Sequence, residues 1–330
     1  MFRKTLLATV CIAAIVLVPI GGEARNAKAT YATFDPPGST YTAASSINNL
    51  GVITGSYLDD NCVSHGYVRA ADGSITSFDP PGSTNTDVAS INTSGVITGN
   101  YIDGSNITHG FVRASDGTFT SFDPAGSTLT YAFSINDKDV IAGTYEDTSR
   151  VFHGFVRAKN GTITSFDPSG STSTYAFSIN GMGAITGYCD IPPNPYAQGY
   201  IRAPDGSFTI FGYQTSGTDP VSINNKNAVS GYFGLDGFVR TADGTFTAFT
   251  APKSKQTWPI SINGKGIIAG YYEDKSNKIH GFFRAANGTI RSFDPPGSVE
   301  TLGGRINGTR VITGFYMDDG GVTHGFVRTP

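Results

Sequence analysis

The sequence predicts an all-β fold, and three features of the chain support this prediction. One phrase, Phe-Asp-Pro or a variant of it, returns seven times at spacings of 44, 44, 44, 45, 38 and 44 residues. Asp-Gly or Asn-Gly pairs stand at a fixed place in six repeats, and they are a strong short signal for a β-hairpin. Glycine accounts for 42 residues and helix formers are few, which favours short strands and tight turns. The phenylalanines of the phrase are Phe34, Phe78, Phe122, Phe166, Phe211, Phe249 and Phe293.

The second copy illustrates how one repeat divides into strands. We predict strand a over residues 86–92, strand b over 96–101, strand c over 109–114 and strand d over 118–123. In six copies the turn between strands a and b ends with Gly, Asp or Asn, which tolerate the left-handed backbone of a tight hairpin. The seventh copy has Arg310 there. Each repeat is therefore predicted to form a four-stranded antiparallel sheet.

The copies must cover one another, because a sheet of four short strands has too little core of its own. Seven such sheets stacked around an axis form a seven-bladed β-propeller, with strand a lining a central channel and strand d outermost. The last copy stops at Pro330 without its fourth strand, and residues 30–35 supply that strand at the front. We therefore predict a closed ring in which the N-terminal strand completes the last blade. An open solenoid, the alternative, would need capping repeats at both ends.

The first 29 residues differ in composition from the rest. Arg3 and Lys4 precede an apolar run over residues 6–20 and a small-x-small site ending at Ala29. This pattern is typical of a secretory signal peptide cleaved after about Ala29, so we expect a secreted or periplasmic protein. The apolar run is too short to span a bilayer comfortably, which argues against membrane insertion. Residues 30–330 show no linker and are predicted to form one domain.

Charge and cysteine content narrow the possible partners and crosslinks. The formal net charge is -3 and no basic stripe is present, so the electrostatic footprint of a nucleic-acid binder is missing. Cys62 and Cys189 belong to the first and fourth repeats, which a ring of seven would hold far apart. A disulfide between them is therefore not expected.

The repeats also show a resemblance to a known family. The sequences Ser-Ile-Asn at residues 90–92, Gly-Val-Ile-Thr-Gly at 95–99 and His-Gly-Phe at 109–111 resemble the bacterial extracellular HAF repeats, named after a His-Ala-Phe tripeptide. The resemblance covers residues 30–330, with Gly throughout where the family name has Ala. It implies an exported repeat protein with a propeller fold, and it implies no catalytic residue or cofactor.

Five histidines stand at the same position before Gly-Phe or Gly-Tyr. They could converge on a metal ion, but strand c is not the channel strand. A repeated structural hydrogen bond is the preferred interpretation, so we expect no metal and no cofactor. These histidines are His65, His109, His153, His280 and His324.

Two charged residue types also recur in the repeats. The arginine that ends strand c could form an anion-binding ring, but we prefer a contact with a carboxylate, such as Asp79, or a carbonyl that joins neighbouring blades. Loop carboxylates such as Asp59 and Asp103 could indicate calcium, yet no loop offers three ligands at alternating positions. The arginines are Arg69, Arg113, Arg157, Arg202, Arg240, Arg284 and Arg328.

Function in a ring of similar repeats requires positions where the copies differ. One such column follows the threonine of strand a, where three aromatics and two carboxylates would ring one mouth of the channel. Aromatic faces stack on sugar rings and carboxylates accept hydroxyl hydrogen bonds, although the same aromatics could instead fill gaps between blades. Arg305 replaces a serine found in the other six copies, and a proline-rich loop follows Cys189. The column is Ala43, Asp87, Tyr131, Tyr175, Asp219, Trp258 and Leu302.

Three functions follow from this reading. The leading hypothesis is an exported binding or scaffold propeller that recognises a carbohydrate or another cell-envelope polymer through Asp87, Tyr131, Tyr175, Asp219, Trp258 and Arg305. The second is a polysaccharide lyase or glycoside hydrolase with Asp87 and Asp219 as acid and base, although these would face each other across the channel. The third is a structural ring that binds a protein partner, which the sequence does not identify.

Overall fold

The computed structural model describes residues 29–212 and 216–330. All but the last residue of the predicted signal peptide, residues 1–29, therefore lie outside the described residues. The described chain forms 28 β-strands without a helix, which confirms the all-β prediction. Among these residues, none forms an apolar helix of membrane-spanning length.

The first four blades each contain four consecutive strands. Blade 1 consists of β2 (Tyr41–Ile47), β3 (Ile53–Leu58), β4 (Ser64–Arg69) and β5 (Ile75–Phe78). Blade 2 consists of β6 (Ser83–Ile91), β7 (Ile97–Asp103), β8 (Thr108–Arg113) and β9 (Phe119–Phe122). Blade 3 consists of β10 (Ser127–Ile135), β11 (Ile141–Asp147), β12 (Phe152–Arg157) and β13 (Ile163–Phe166). Blade 4 consists of β14 (Ser173–Ile179), β15 (Ile185–Asp190), β16 (Gln198–Arg202) and β17 (Phe208–Phe211).

The last three blades follow the same plan, except that the seventh takes its outer strand from the N-terminus. Blade 5 consists of β18 (Thr218–Ile223), β19 (Val229–Phe233), β20 (Asp236–Arg240) and β21 (Phe246–Phe249). Blade 6 consists of β22 (Ser254–Ile262), β23 (Ile268–Asp274), β24 (Ile279–Arg284) and β25 (Ile290–Phe293). Blade 7 consists of β26 (Ser298–Ile306), β27 (Ile312–Asp318), β28 (Thr323–Thr329) and β1 (Thr30–Phe34).

The N-terminal strand closes the ring as predicted. β1 pairs antiparallel with β28 in a register that runs from Thr30 opposite Thr329 to Phe34 opposite Gly325. The blades remain separate sheets apart from two isolated parallel pairs, Tyr41 with Thr323 and Leu129 with Thr108. The first strand of each blade, strand a, contacts strand a of both neighbouring blades around the whole ring. This confirms that the seven a strands are innermost. The propeller is therefore closed because the N-terminal strand completes the last blade, and not because hydrogen bonds run continuously from blade to blade.

A ring of asparagines, which we call the asparagine ring, joins the inner strands at the end of the channel where strand a finishes. Each side-chain Nδ2 donates to the backbone carbonyl of the next asparagine at 3.0–3.2 Å. The seventh bond runs from Asn307 back to Asn48, 259 residues away, and closes the circle. All seven residues are buried. They are Asn48, Asn92, Asn136, Asn180, Asn224, Asn263 and Asn307.

The same asparagines also fix the hairpin between strands a and b. Asn48 Oδ1 accepts hydrogen bonds from the amides of Leu50 and Val52, each at 3.0 Å. The last turn residue has a positive φ in all seven copies, including Arg310 at 74°, which is an uncommon conformation for an arginine. The asparagine and the hydrogen bonds between strands a and b thus set the turn geometry. Only six copies have a residue type, Gly, Asp or Asn, that favours the left-handed position.

The hydrophobic core consists of layers between neighbouring blades. The layer between blades 1 and 2 joins Phe78 from the outer strand of one blade to Ile97 and Phe111 of the next. Each Phe-Asp-Pro phenylalanine also covers a glycine of strand c. A Cβ at Gly110 would lie only 2.7 Å from the Phe122 ring, so this position has no room for a side chain. This contact explains why glycine recurs at this position of strand c in every blade.

The aspartate of the Phe-Asp-Pro phrase links adjacent blades through a histidine and a threonine. In the closing contact, His324 Nδ1 lies 2.8 Å from Asp35 Oδ2, while Thr42 donates to Asp35 Oδ1 at 2.8 Å. The equivalent His109–Asp123 and Thr130–Asp123 distances are both 2.6 Å. The repeated histidines therefore serve the fold through hydrogen bonds, in agreement with the structural interpretation.

The repeated arginines join neighbouring blades, but the carboxylate partner was predicted wrongly. The guanidinium carbon of Arg113 lies 4.9 Å from the centroid of the Phe78 ring on the preceding blade, and all seven arginines make such a cation–π contact at 4.8–5.3 Å. Their Nε atoms are buried without a hydrogen-bond partner among the described residues. The carbonyl contact of Arg69 is with the following residue, Ala70. The ring face, not Asp79, holds the cation.

The loop carboxylates considered for calcium instead cap the hairpin between strands b and c. Asp103 Oδ1 accepts the amides of Ser105 and Ile107 at 2.8 and 2.9 Å, and its other oxygen lies 3.5 Å from His109 Nε2. Among the described residues, no group of three or more His, Cys, Asp or Glu side chains is arranged to hold a metal ion.

Removal of the closing strand should destabilise the propeller. A chain beginning at residue 37 loses the β1–β28 ladder, the buried Phe34 ring and the Asp35 link. We expect a loss of at least the about 3–5 kcal/mol that accompanies truncation of a buried phenylalanine, and an exposed β28 edge. Thermal melting compared with a chain beginning at residue 30 measures the loss. Equal melting temperatures would contradict closure by β1.

The histidine links should make stability depend on pH near neutrality. Partial burial by itself lowers the pKa of His109, but hydrogen bonds and charges of Asp123 and Asp103 outweigh it and raise the pKa; His153 and His324 behave alike. A raised folded-state pKa contributes stability below the unfolded value, and this contribution is lost as pH rises through the folded pKa.

We therefore expect the melting temperature to fall between about pH 6 and pH 8. Changing His109, His153 and His324 to glutamine, the residue that blade 4 carries at position 198, should flatten this slope. An unchanged slope in the triple variant would show that other groups set it.

At acid pH the lowered pKa values of Asp103 and Asp147, caused first by backbone hydrogen bonds, predict a separate loss of stability below about pH 4.

Candidate functional site

Strand a carries a β-bulge at the same place in every blade. In blade 2 the register with β7 breaks between Val88 and Ser90, so Ala89 is an extra residue. A bulge redirects the side chain of its extra residue, and five of the seven equivalent residues line a cavity in the channel. We call this set the bulge column. It consists of Ser45, Ala89, Phe133, Phe177, Val221, Ile260 and Gly304.

The channel cavity has a volume of about 440 Å³. Three of the six predicted ligand-binding residues line it, namely Asp87, Tyr131 and Arg305. Phe133 and Phe177 of the bulge column add two aromatic rings to the same wall. The cavity therefore combines aromatic faces, a carboxylate and a guanidinium along one wall of the channel.

The other three predicted residues, Tyr175, Asp219 and Trp258, are absent from the lining of this cavity and lie on blades 4, 5 and 6. Each pairs with a tyrosine of strand b in its own blade. All are half-buried. We call these six residues the rim arc: Tyr175, Tyr188, Asp219, Tyr232, Trp258 and Tyr271.

Aromatic contacts connect the cavity to the rim arc. Tyr131 stacks on Phe133 with ring centroids 5.8 Å apart, and Phe133 lies 5.5 Å from Phe177. Phe177 in turn lies 5.6 Å from Tyr188, whose ring is 4.6 Å from Tyr175. Blades 3 and 4 thus present one aromatic wall that leads from the rim into the channel.

Two carboxyl groups on strand a have pKa values above the ordinary range. Burial raises the pKa of Asp87 although part of the side chain stays accessible to solvent; hydrogen bonds from Ser64 and Asn100 oppose this shift. Burial, and then the charge of Asp190, raises the pKa of Asp219. A carboxyl in such surroundings holds its proton more firmly and gains from ligand groups that donate hydrogen bonds.

Arg305 occupies a position where the other blades use a serine to join their neighbours. In six blades that serine Oγ accepts the amide of the next blade's isoleucine at 3.2–3.5 Å. A guanidinium has no acceptor, so Arg305 cannot bind the amide of Ile47 in this way. Its Nη1 instead donates to the carbonyl of Ile260 at 3.4 Å, while burial lowers the pKa of the side chain.

The proline-rich loop of blade 4 lies next to the rim arc. It follows Cys189 and Asp190, and Tyr196 on it is exposed. Cys189 is buried and Cys62 is exposed, and both thiols are free, as the ring geometry led us to expect.

Sequence reasoning missed the bulge column and the strand b tyrosines. Phe133 and Phe177 follow Tyr131 and Tyr175 by two residues, so strand alternation already places them on the same side as the predicted column. The signal was present, because the bulge column varies from Gly to Phe among the copies as strongly as the predicted column does.

Comparison with solved structures places the chain among β-propellers. It is similar to a catalytically inactive histidine-to-alanine variant of virginiamycin B lyase from Staphylococcus aureus with quinupristin, with a TM-score of 0.65 and 13% identity over 92% of this chain and 100% of that one. A streptogramin B lyase matches with a TM-score of 0.59 and 13% identity, over 91% and 97% of the two chains.

The propeller domain of the Trilobed protease from Pyrococcus furiosus, described as having an open velcro topology, matches with a TM-score of 0.62 and 8% identity, over 88% and 95% of the chains. This chain differs from that description because β1 closes its last blade. Neither a protein-family profile nor a curated protein matches the chain. Identities this low show the fold alone, so the chain is a β-propeller whose function has to be argued from its own residues.

Proposed function

We propose that this propeller is an exported binding protein that recognises a carbohydrate or another cell-envelope polymer at the mouth formed by the channel cavity and the rim arc. The observation that carries the proposal is the aromatic wall from Tyr175 to Tyr131, which meets the carboxyl of Asp87 inside one cavity. The export signal predicted for residues 1–29 and the resemblance to HAF repeats support a location outside the cytoplasm.

The wall suits sugar rings for a physical reason. A pyranose has apolar C–H faces that pack on aromatic rings and hydroxyls around its edge that donate hydrogen bonds. Tyr131, Phe133 and Phe177 supply faces inside the cavity, and Asp87 and Asn100 supply polar atoms beside them. The volume of about 440 Å³ falls within the roughly 300–1,000 Å³ common for ligand pockets.

The propeller lyases among the structural neighbours do not transfer their activity to this chain. One of them is described as inactive after a histidine was changed to alanine. All five histidines of this chain lie on strand c, outside the channel, and each has its Nδ1 2.6–2.8 Å from a phrase aspartate. Each histidine of this chain is therefore already engaged in a contact of the fold.

A polysaccharide-active enzyme remains the second candidate because Asp87 and Asp219 both have raised pKa values, as a general acid requires. The structure separates the two residues, since Asp87 lines the channel cavity and Asp219 belongs to the rim arc. This separation favours binding over hydrolysis. Incubation of a bound polysaccharide with the protein, followed by measurement of new reducing or unsaturated ends, distinguishes the two.

Binding and stability should respond separately to aromatic truncation. We expect Tyr131→Ala and Trp258→Ala to weaken binding to the best ligand of a glycan and envelope-polymer panel by about 1–2 kcal/mol each, because each ring is partly exposed at the mouth. Their free energies of unfolding should change little. Calorimetric titration and melting curves provide the two measurements.

Two control variants show how loss of a core residue and loss of an exposed residue away from the mouth affect stability and binding. Phe111→Ala removes a fully buried ring and should lower the free energy of unfolding by about 3–5 kcal/mol. Ile210→Ala changes an exposed outer-strand residue and should affect neither property. If Tyr131→Ala and Trp258→Ala behave like Phe111→Ala, with binding per folded molecule unchanged, the aromatic wall is core and the proposal fails.

A further inference from the structure

We propose that Arg305, in the wall of the channel cavity, forms a subsite for the carboxylate of an acidic sugar, with a second donor in the amide of Ile47, which follows Ser46 of the cavity wall and lines the asparagine-ring end of the channel. The inference rests on the proposed function and adds the chemical class of its ligand. Arg305 is the one position at which the repeated bonds between inner strands are exchanged for a charge.

Arg305 is available to a ligand. Among the described residues its side chain makes one hydrogen bond, the long contact from Nη1 to the Ile260 carbonyl at 3.4 Å, which uses one of five N–H donors. The side chain lines the cavity and is partly exposed to it. No carboxylate lies within ion-pairing distance of it in the described chain, although Asp87 lines the same cavity. A partly desolvated guanidinium without a counter-ion is suited to a planar, bidentate carboxylate.

The amide of Ile47 supplies a second donor. The hairpin bond from the Asn48 amide to the Val52 carbonyl makes that pair a hydrogen-bonded one. Antiparallel pairs alternate, so Ile47 faces Ile53 across a non-hydrogen-bonded pair and its amide points away from β3. In the other blades this amide reaches the serine of the preceding blade. In blade 1 the residue in that place is Arg305, which cannot accept.

The backbone around Arg305 is adapted to the exchange. Blade 7 has Gly303 and Gly304 directly before the arginine, where blade 2 has Val88 and Ala89. Gly304 has φ +152°, and a Cβ there would lie 2.8 Å from the Cα of Gly270. Three consecutive residues thus depart together from the repeat, and Gly304 lets β26 lie close to blade 6, on the side where Arg305 contacts Ile260.

The carboxyl of Asp87 favours a sugar acid over a simple anion as the ligand of this subsite. A sulfate or phosphate near Arg305 would also feel the carboxyl of Asp87 in the same cavity. A uronic acid satisfies both groups, since its carboxylate binds the guanidinium while its hydroxyls donate to Asp87. The rings of Phe133 and Phe177 face the same space and can pack on the sugar.

The test uses glucuronate, glucose and sulfate as probes of the whole mature protein. Arg305→Ser recreates the residue of the other six blades and returns an acceptor to the Ile47 amide, so this variant should fold and melt no lower than the wild type. We expect wild type to prefer glucuronate over glucose and sulfate by at least tenfold. Arg305→Ser should lose that preference, and Arg305→Lys should keep part of it.

Three results would overturn the subsite: equal glucuronate affinity in wild type and Arg305→Ser, no preference of wild type for glucuronate over glucose, or sulfate binding as strong as glucuronate binding. Any of these can occur while Tyr131→Ala still weakens binding of a neutral glycan, and then the proposed function stands alone. Conversely, Arg305-dependent glucuronate binding without any polymer ligand would keep the subsite and reject the polymer-binding function.

Discussion

The asparagine ring is the constraint on which the rest of the propeller depends. Each buried asparagine closes its own hairpin through Oδ1 and holds the next blade through Nδ2. One side chain therefore fixes both the turn within a blade and the spacing between blades. Because the seventh bond returns from Asn307 to Asn48, the number of blades and the width of the channel are set together. Replacement of one asparagine would leave a buried carbonyl without its donor and a hairpin without its cap, a larger loss than the roughly 1 kcal/mol of one net hydrogen bond.

The outer links repeat this logic at larger radius. The phrase aspartate joins a histidine of one blade to a threonine of the next, and the phrase phenylalanine receives the arginine of the following blade. The asparagine ring, the aspartate links and the arginine–phenylalanine contacts hold neighbouring blades together at three distances from the channel axis. The residues of strand a between these contacts therefore contribute little to holding the blades in place. The predicted column and the bulge column lie in that interval on strand a. They can change from Ala to Trp, or from Gly to Phe, without disturbing the repeated contacts, which is why the copies differ there.

The repeat made the architecture readable from the sequence. Strand order, the inner position of strand a and the closure by β1 follow from spacing and from the strand missing before Pro330. Contacts that depend on side-chain direction did not follow. The arginines choose aromatic faces over carboxylates because the aspartates are already bound by histidine and threonine. Phe133 and Phe177 were missed although they lie two residues beyond Tyr131 and Tyr175 on the same side of strand a, and the six predicted site residues divide between cavity and rim arc.

The position of Arg305 shows how such a ring can accept a local loss. Blade 7 gives up a serine–amide bond to blade 1 and carries two glycines in its inner strand. It is also the blade that the β1 ladder, the His324–Asp35 link and the Asn307–Asn48 bond tie to the start of the chain. The junction with blade 1 keeps the Asn307–Asn48 bond, the Thr42–Asp35 bond and the contact of Arg69 with Phe34, so the missing inner bond does not open it. The exchange of a structural hydroxyl for a charged side chain at this junction therefore adds chemistry to the channel while the ring stays closed.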